Sequence, residues 1–75
     1  MGCYMPKSKR FQKGPAFRCM AELSDWLESG KSVYLREKYL TPGWVMSMQF
    51  KMLMDCVTAR VIYRVIEVNN EREDS

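Results

Sequence analysis

Thr41-Pro42-Gly43-Trp44-Val45-Met46-Ser47-Met48-Gln49-Phe50-Lys51-Met52-Leu53-Met54-Asp55-Cys56-Val57 is the stretch on which the fold of this 75-residue chain turns. Thr41 is a good N-cap, because its hydroxyl can accept from an otherwise unpaired N–H of the first turn. Pro42 falls at the first helical position, where a missing N–H costs nothing. Beyond them Ser47, Lys51, Asp55 and Thr58 recur at helical steps and form one narrow polar stripe. Lys51 and Asp55 are placed to pair along it, in the less favourable orientation. Met46, Phe50, Leu53 and Val57 fill one flank, and Val45, Met48, Met52 and Cys56 fill the other. Thr41 to Val57 therefore reads as one helix, apolar over most of its circumference. Such a helix has to be covered by the rest of the protein or by a partner.

Downstream, Val61-Ile62-Tyr63-Arg64-Val65-Ile66-Glu67-Val68 is rich in β-branched residues and reads as a strand. Apart from Arg64 and Glu67 it is apolar on both faces, which suits a position paired on both sides better than a bare edge. Upstream, Lys31 to Leu40 is extended, with Val33 and Leu35 alternating against Tyr34 and Arg36. Arg36-Glu37-Lys38 fits a turn that makes Tyr39-Leu40 a return strand, and a single strand fits equally well. Before it, Phe17, Met20, Leu23 and Leu27 mark the apolar face of an amphipathic helix over Ala16–Ser29. That helix would start at Gly14-Pro15 and end before Gly30. Residues 1–14 show no periodicity and read as a flexible basic arm, and residues 70–75 as an acidic disordered tail.

The expected fold is a small single α+β domain over residues 15–69. Its order is helix, strand or hairpin, helix, strand, with the central apolar helix packed on a small sheet. A right-handed β-α-β crossover and an antiparallel arrangement, with Tyr39-Leu40 beside the last strand, both satisfy this order. At this length the core is small, so any apolar area left over favours homodimerisation or partner binding.

Composition narrows the function. Hydrophobic residues make up 47% and charged residues 28%, as in an ordinary globular domain. Charges interrupt every apolar run well short of a membrane span. The N-terminus has no secretory apolar core, so the cytosol is the expected compartment. With no histidine, no Walker loop and no GxGxxG motif, the chain carries no ordinary enzyme signature. Cys3, Cys19 and Cys56 are odd in number and contain no CxxC pair, so they read as reduced thiols. No metal and no cofactor is expected. The acidic trio Glu22, Asp25 and Glu28 reads as a solvated helix face.

Two binding features stand out. Residues 1–18 contain Lys7, Lys9, Arg10, Lys13 and Arg18 and no acid, interleaved with Tyr4, Phe11 and Phe17. Cations for phosphates and rings for bases suit single-stranded nucleic acid, with Arg60 and Arg64 in support. The same N-terminus, Met1-Gly2-Cys3 before Lys7-Ser8-Lys9-Arg10, has the look of an acylated polybasic anchor. Pro6 stands where myristoylation wants Ser or Thr, which leaves only one weak anchoring signal. The second feature is the methionine set beside Trp44. Thioethers repack against varied shapes, and Trp is a common anchor of interfaces.

Gly30-Lys31-Ser32-Val33-Tyr34-Leu35-Arg36, continuing to Thr41-Pro42-Gly43-Trp44-Val45, resembles short uncharacterised proteins encoded by bacteriophages and prophages, within residues 20–66. The resemblance implies an accessory protein that binds a host protein and inhibits or redirects it, and it transfers no functional residue. The expected function is therefore non-enzymatic protein binding through Trp44, Val45, Met48 and Met52, with the Phe50, Leu53 and Val57 flank in the core. The alternative is nucleic-acid binding through Lys7, Lys9, Arg10, Lys13 and Arg18.

Overall fold

The computed structural model describes residues 9–69, and its elements run in the order β1 (Lys9–Ala16), α1 (Met20–Glu28), β2 (Val33–Leu35), β3 (Lys38–Leu40), α2 (Pro42–Met46), α3 (Phe50–Thr58) and β4 (Ile62–Asn69). The four strands form one antiparallel sheet in the order β1-β4-β2-β3. The α+β expectation holds. Of the two topologies considered the sheet is antiparallel, but β4 pairs with β2, and Tyr39-Leu40 pairs with β2 from its outer side. No helix among the described residues is long and apolar enough to cross a membrane.

Partners in register share a sheet face, and successive residues alternate between faces. On one face lie Val33, Leu40 and Ile62, all buried, with Leu35 and Arg64. On the other, Tyr63, Tyr34 and Tyr39 stand in one row across β4, β2 and β3. The first face meets the helices. Its core is completed by Phe17, Leu23, Leu27, Val45, Leu53 and Val57, and no buried residue among those described is polar or charged.

Residues 9–14, expected as part of a flexible arm, form most of β1 instead. Lys9 to Lys13 pair with Val65 to Asn69, and Ala16 pairs with Tyr63 after an irregularity between Lys13 and Ala16. Lys-Arg-Phe-Gln-Lys has no apolar alternation, so nothing local marks it as a strand. Backbone bonds to a strand some fifty residues away supply the order. Pro15, which lacks an N–H, falls within that irregularity, where a sheet tolerates it. Consequently α1 begins at Met20 rather than Ala16, and Phe17 becomes a fully buried plug in the connection. Gly30 ends the helix as expected, with φ 78 and its N–H on the Leu27 carbonyl at 2.9 Å.

Residues 31–40, left open between a strand and a hairpin, are a hairpin. Arg36 turns it at φ 57, and its N–H donates to the Val61 carbonyl at 2.9 Å, tying the turn to the start of β4.

The Thr41–Val57 helix is not continuous. Its start is as read: Pro42 is in the first turn, and Thr41 Oγ1 accepts from the Trp44 N–H at 3.4 Å. After Met46 the chain tightens. The Ser47 N–H and Ser47 Oγ both donate to the Trp44 carbonyl, at 3.2 and 2.6 Å, and Gln49 is extended before α3 begins. Serine competing for a helical carbonyl is a known way to interrupt a helix. Packing explains why the break is kept. At about 100° per residue a continuous helix would turn Leu53 roughly 80°, and Val57 roughly 120°, away from Val45. The break brings all three into one core.

Candidate docking surface and the opposite sheet face

The rephased helices sort the expected partner-binding residues into two groups. Trp44 and Met52 are exposed, and with Ser47, Met48 and Gln49 they line an open groove of about 320 Å³. Met48 is half-buried against the core. Val45 is fully buried, which removes it from any docking surface. The opposite correction applies to the flank expected as core. Leu53 and Val57 are buried there, but Met46 is 57% and Phe50 68% exposed. Periodicity alone could not reveal this, because the assignment assumed one unbroken helix.

Trp44, Met46, Phe50, Met52 and Met54 thus project large apolar side chains from eleven consecutive residues. Lys51 and Asp55 lie among them and pair at 3.5 Å, as the polar stripe foretold, so this surface carries no net charge. Ser47 lies in the interruption and is not part of a continuous stripe.

The cations expected to serve nucleic acid are distributed differently from an arm. Lys7, like Cys3 and Tyr4 and the acidic tail, lies outside the described residues, and Lys9 opens β1. Arg10 is exposed on β1. Lys13 bonds to Glu37 at 2.6 Å and lies 4.9 Å from the Tyr63 ring centroid. The hydrogen bond to the Glu37 carboxylate raises the Lys13 pKa above its ordinary value. Arg18 turns toward α1 and pairs with Glu22 at 3.5 Å.

Arg64 is a structural clamp. Its guanidinium donates to the Pro15 and Ala16 carbonyls at 3.2 and 3.4 Å and to Glu22 Oε1 at 3.2 Å. It also stacks 4.4 Å from the Phe17 centroid and 5.7 Å from that of Trp26. The sequence signal for this role was a lone arginine on the core-facing side of an otherwise β-branched strand. The Glu22 carboxylate accepts the Arg18 N–H at 3.1 Å, and this bond, with help from Arg64, holds its pKa below the ordinary value.

A second cleft, of about 420 Å³, opens beside Val65, Ile66 and Glu67 of β4. Phe11, Tyr39 and Val65 line it from the strands, Trp26 from α1, and Lys31 from the α1–β2 connection, with its Nζ 4.5 Å from the Trp26 ring centroid. Cys19 is exposed and Cys56 half-buried, both as free thiols. Among the described residues no three His, Cys, Asp or Glu side chains come together as a metal site. No family model matches the chain, and neither curated proteins nor solved structures give a match.

Proposed function

We propose that the chain is a small, non-enzymatic accessory protein of the cytosol. It docks onto another protein through the apolar surface of α2 and α3. The observation that supports this reading is the set of five large apolar side chains, Trp44, Met46, Phe50, Met52 and Met54, left in solvent by one short helical pair. So many large apolar side chains exposed on so short a segment are uncommon on a protein that works alone. Trp44 at the groove wall supplies a rigid anchor, and the thioether of Met52 adapts around whatever enters beside it. Because the surface has no net charge, its counterpart is a weakly charged apolar face rather than a strongly acidic or basic one. The reading extends the resemblance to phage accessory proteins, for which that counterpart is a host protein.

Trp44→Asp and Phe50→Asp test this. Both positions are exposed, so each variant should keep its circular-dichroism spectrum and thermal midpoint. Each should also abolish capture of a binding protein that the wild-type chain retains from host extract under salt washing. Retention of the same protein by both variants would refute the docking surface. If light scattering instead gives a wild-type dimer that the variants convert to a monomer, the surface serves self-association and the accessory reading fails.

A further inference from the structure

Of the five large apolar side chains exposed on α2 and α3, three are thioethers. Met46 is 57%, Met52 48% and Met54 36% exposed. None of the nine buried apolar residues of the core is a methionine. Met20 and Met48 are half-buried and pack against that core from its margin. The methionines among the described residues thus divide into an exposed set on one surface and a half-buried pair. Met52 shares the open groove with Trp44, Ser47, Met48 and Gln49.

A thioether packs like a hydrocarbon, but unlike one it is oxidised by peroxides. The sulfur lone pair attacks one peroxide oxygen, and the S–O bond forms as the O–O bond breaks. The departing hydroxide takes up the remaining peroxide proton and leaves as water. Sulfur is oxidised by two electrons, and the peroxide is reduced by the same two. The resulting sulfoxide carries a polar S=O where an apolar sulfur stood. Covered by a partner without a hydrogen-bond donor, that oxygen is penalised in a way the thioether is not. Peroxide must reach the sulfur to react, so exposure orders the sites. The buried core holds no thioether, and oxidation confined to the exposed set leaves its packing untouched.

We propose that Met46, Met52 and Met54 form a peroxide-sensitive modification site. Their oxidation turns the α2–α3 surface from apolar to polar and releases the protein docked there, while the fold stays intact. The inference rests on the docking reading, since a surface without a partner has nothing to release. Leucine would supply similar apolar bulk on a helix without an oxidisable sulfur, so bulk alone does not call for methionine at these positions. Met52 lines the groove beside Trp44, so its sulfoxide stands next to the anchor itself. Lys51, the cation of this stretch, is engaged by Asp55 at 3.5 Å, and serving the new oxygen would mean giving up that pair. The step is reversible by a dithiol with methionine sulfoxide reductases. The oxygen then leaves as water, the dithiol closes to a disulfide and the thioether returns.

The test treats the full chain with hydrogen peroxide in steps and then with dithiothreitol, which returns oxidised thiols to the reduced state but leaves sulfoxides. Peptide mass mapping should find one added oxygen at Met46, Met52 and Met54 before Met20 and Met48 react. The thermal midpoint of the triply oxidised chain should stay within about 4 °C of the untreated one, as for a surface change. Its retention on a phenyl-substituted matrix should fall. The protein that the untreated chain retains from host extract under salt washing should be held at least about tenfold more weakly. Methionine sulfoxide reductases with dithiothreitol should restore both. A chain carrying Met46→Leu, Met52→Leu and Met54→Leu together should show the same retention before and after peroxide. It keeps Met1, Met5 and all three cysteines, so it controls for oxidation elsewhere. Earlier oxidation of Met20 or Met48, unfolding at the triply oxidised stage, retention unchanged by oxidation, or an equal loss in the leucine variant would each overturn the inference without touching the docking reading. If the untreated chain retains no protein from the extract, the docking reading itself fails, and this inference fails with it.

Discussion

Replacing Gly14 with alanine separates a paired β1 from a loose basic arm by the sign of its effect. A Cβ on Gly14 would lie 2.5 Å from Ile66 Cγ1, 2.7 Å from Ile66 Cδ1 and 3.3 Å from Arg64 Cβ. The first two distances are far inside contact and force the Ile66 side chain to move. Ile66 is β-branched and stiff at χ1, so its escape is restricted, and the Arg64 Cβ belongs to the clamp and cannot follow. Overpacking of this kind costs about 1–3 kcal/mol. Because Ile66 is only half-buried, we expect the lower part of that range, about 1–2 kcal/mol, or a thermal midpoint lower by roughly 5–15 °C for a domain of this size. Gly14 does not have a positive φ, so alanine incurs no backbone strain there. In an unpaired arm the substitution would leave stability unchanged, and in a strain-free ordered segment it would raise stability by about 0.4–1 kcal/mol through the unfolded chain. The assay is urea unfolding followed by far-UV circular dichroism. A double-mutant cycle with Ile66→Ala assigns the cause, because removing Cγ1 and Cδ1 should recover about 1 kcal/mol of the Gly14→Ala penalty. An unchanged or higher midpoint for Gly14→Ala, or no coupling to Ile66, would show that β1 does not lie against β4 as described.

Two further outcomes follow from the clamp. Arg64→Lys keeps the charge but loses the planar fork that serves two carbonyls and Glu22 while stacking on Phe17. It should destabilise the protein by about 2 kcal/mol in urea titration, and a loss below about 0.5 kcal/mol would mean the clamp is decorative. Glu22 has a folded-state pKa below its ordinary value of 4.5, so its contribution is fully present above that value and is lost as pH falls through the lower folded value. The gap in urea midpoint between wild type and Glu22→Gln should therefore be largest near about pH 7 and should close as pH falls below the ordinary value and through the lower folded one. A gap that persists unchanged in acid would show that the carboxylate charge plays no part.

Elements whose cause is local were the ones that could be read from the chain. The apolar spacing of Met20, Leu23 and Leu27, the left-handed stop at Gly30, the Thr41-Pro42 start and the β-branched run around Ile62 each act within a few residues. β1 was not legible, because its order comes from β4 and its sequence alternates no apolar residues. The Ser47–Gln49 break was missed for a related reason. Ser47 was compatible with a continuous stripe, and only the need to bury Val45, Leu53 and Val57 together rotates α3 away from it. That single rotation reversed the roles of Val45 and Phe50. On the exposed surface of α2 and α3, Trp44 and Met52 were identifiable from residue type, whereas Met46, Phe50 and Met54 became surface candidates only through the rephasing. The aromatic row was hidden because Tyr34, Tyr39 and Tyr63 meet through strand register, which no linear spacing displays.

The position of β4 between β1 and β2 has a consequence for how the chain acquires its structure in time. Only the β2–β3 hairpin can pair before residues 62–69 have been synthesised, since β1 has no other neighbour in the sheet. During translation β1 therefore waits unpaired for its partner, and the pairings that build the sheet are of the slow, high-contact-order kind. The α2–α3 apolar surface emerges in that same interval, when the core beneath it is still incomplete. Proteolysis or truncation just before Ile62 would accordingly not trim an edge from the sheet. It would remove the strand that joins β1 to the hairpin and leave β1 with no neighbour in the sheet.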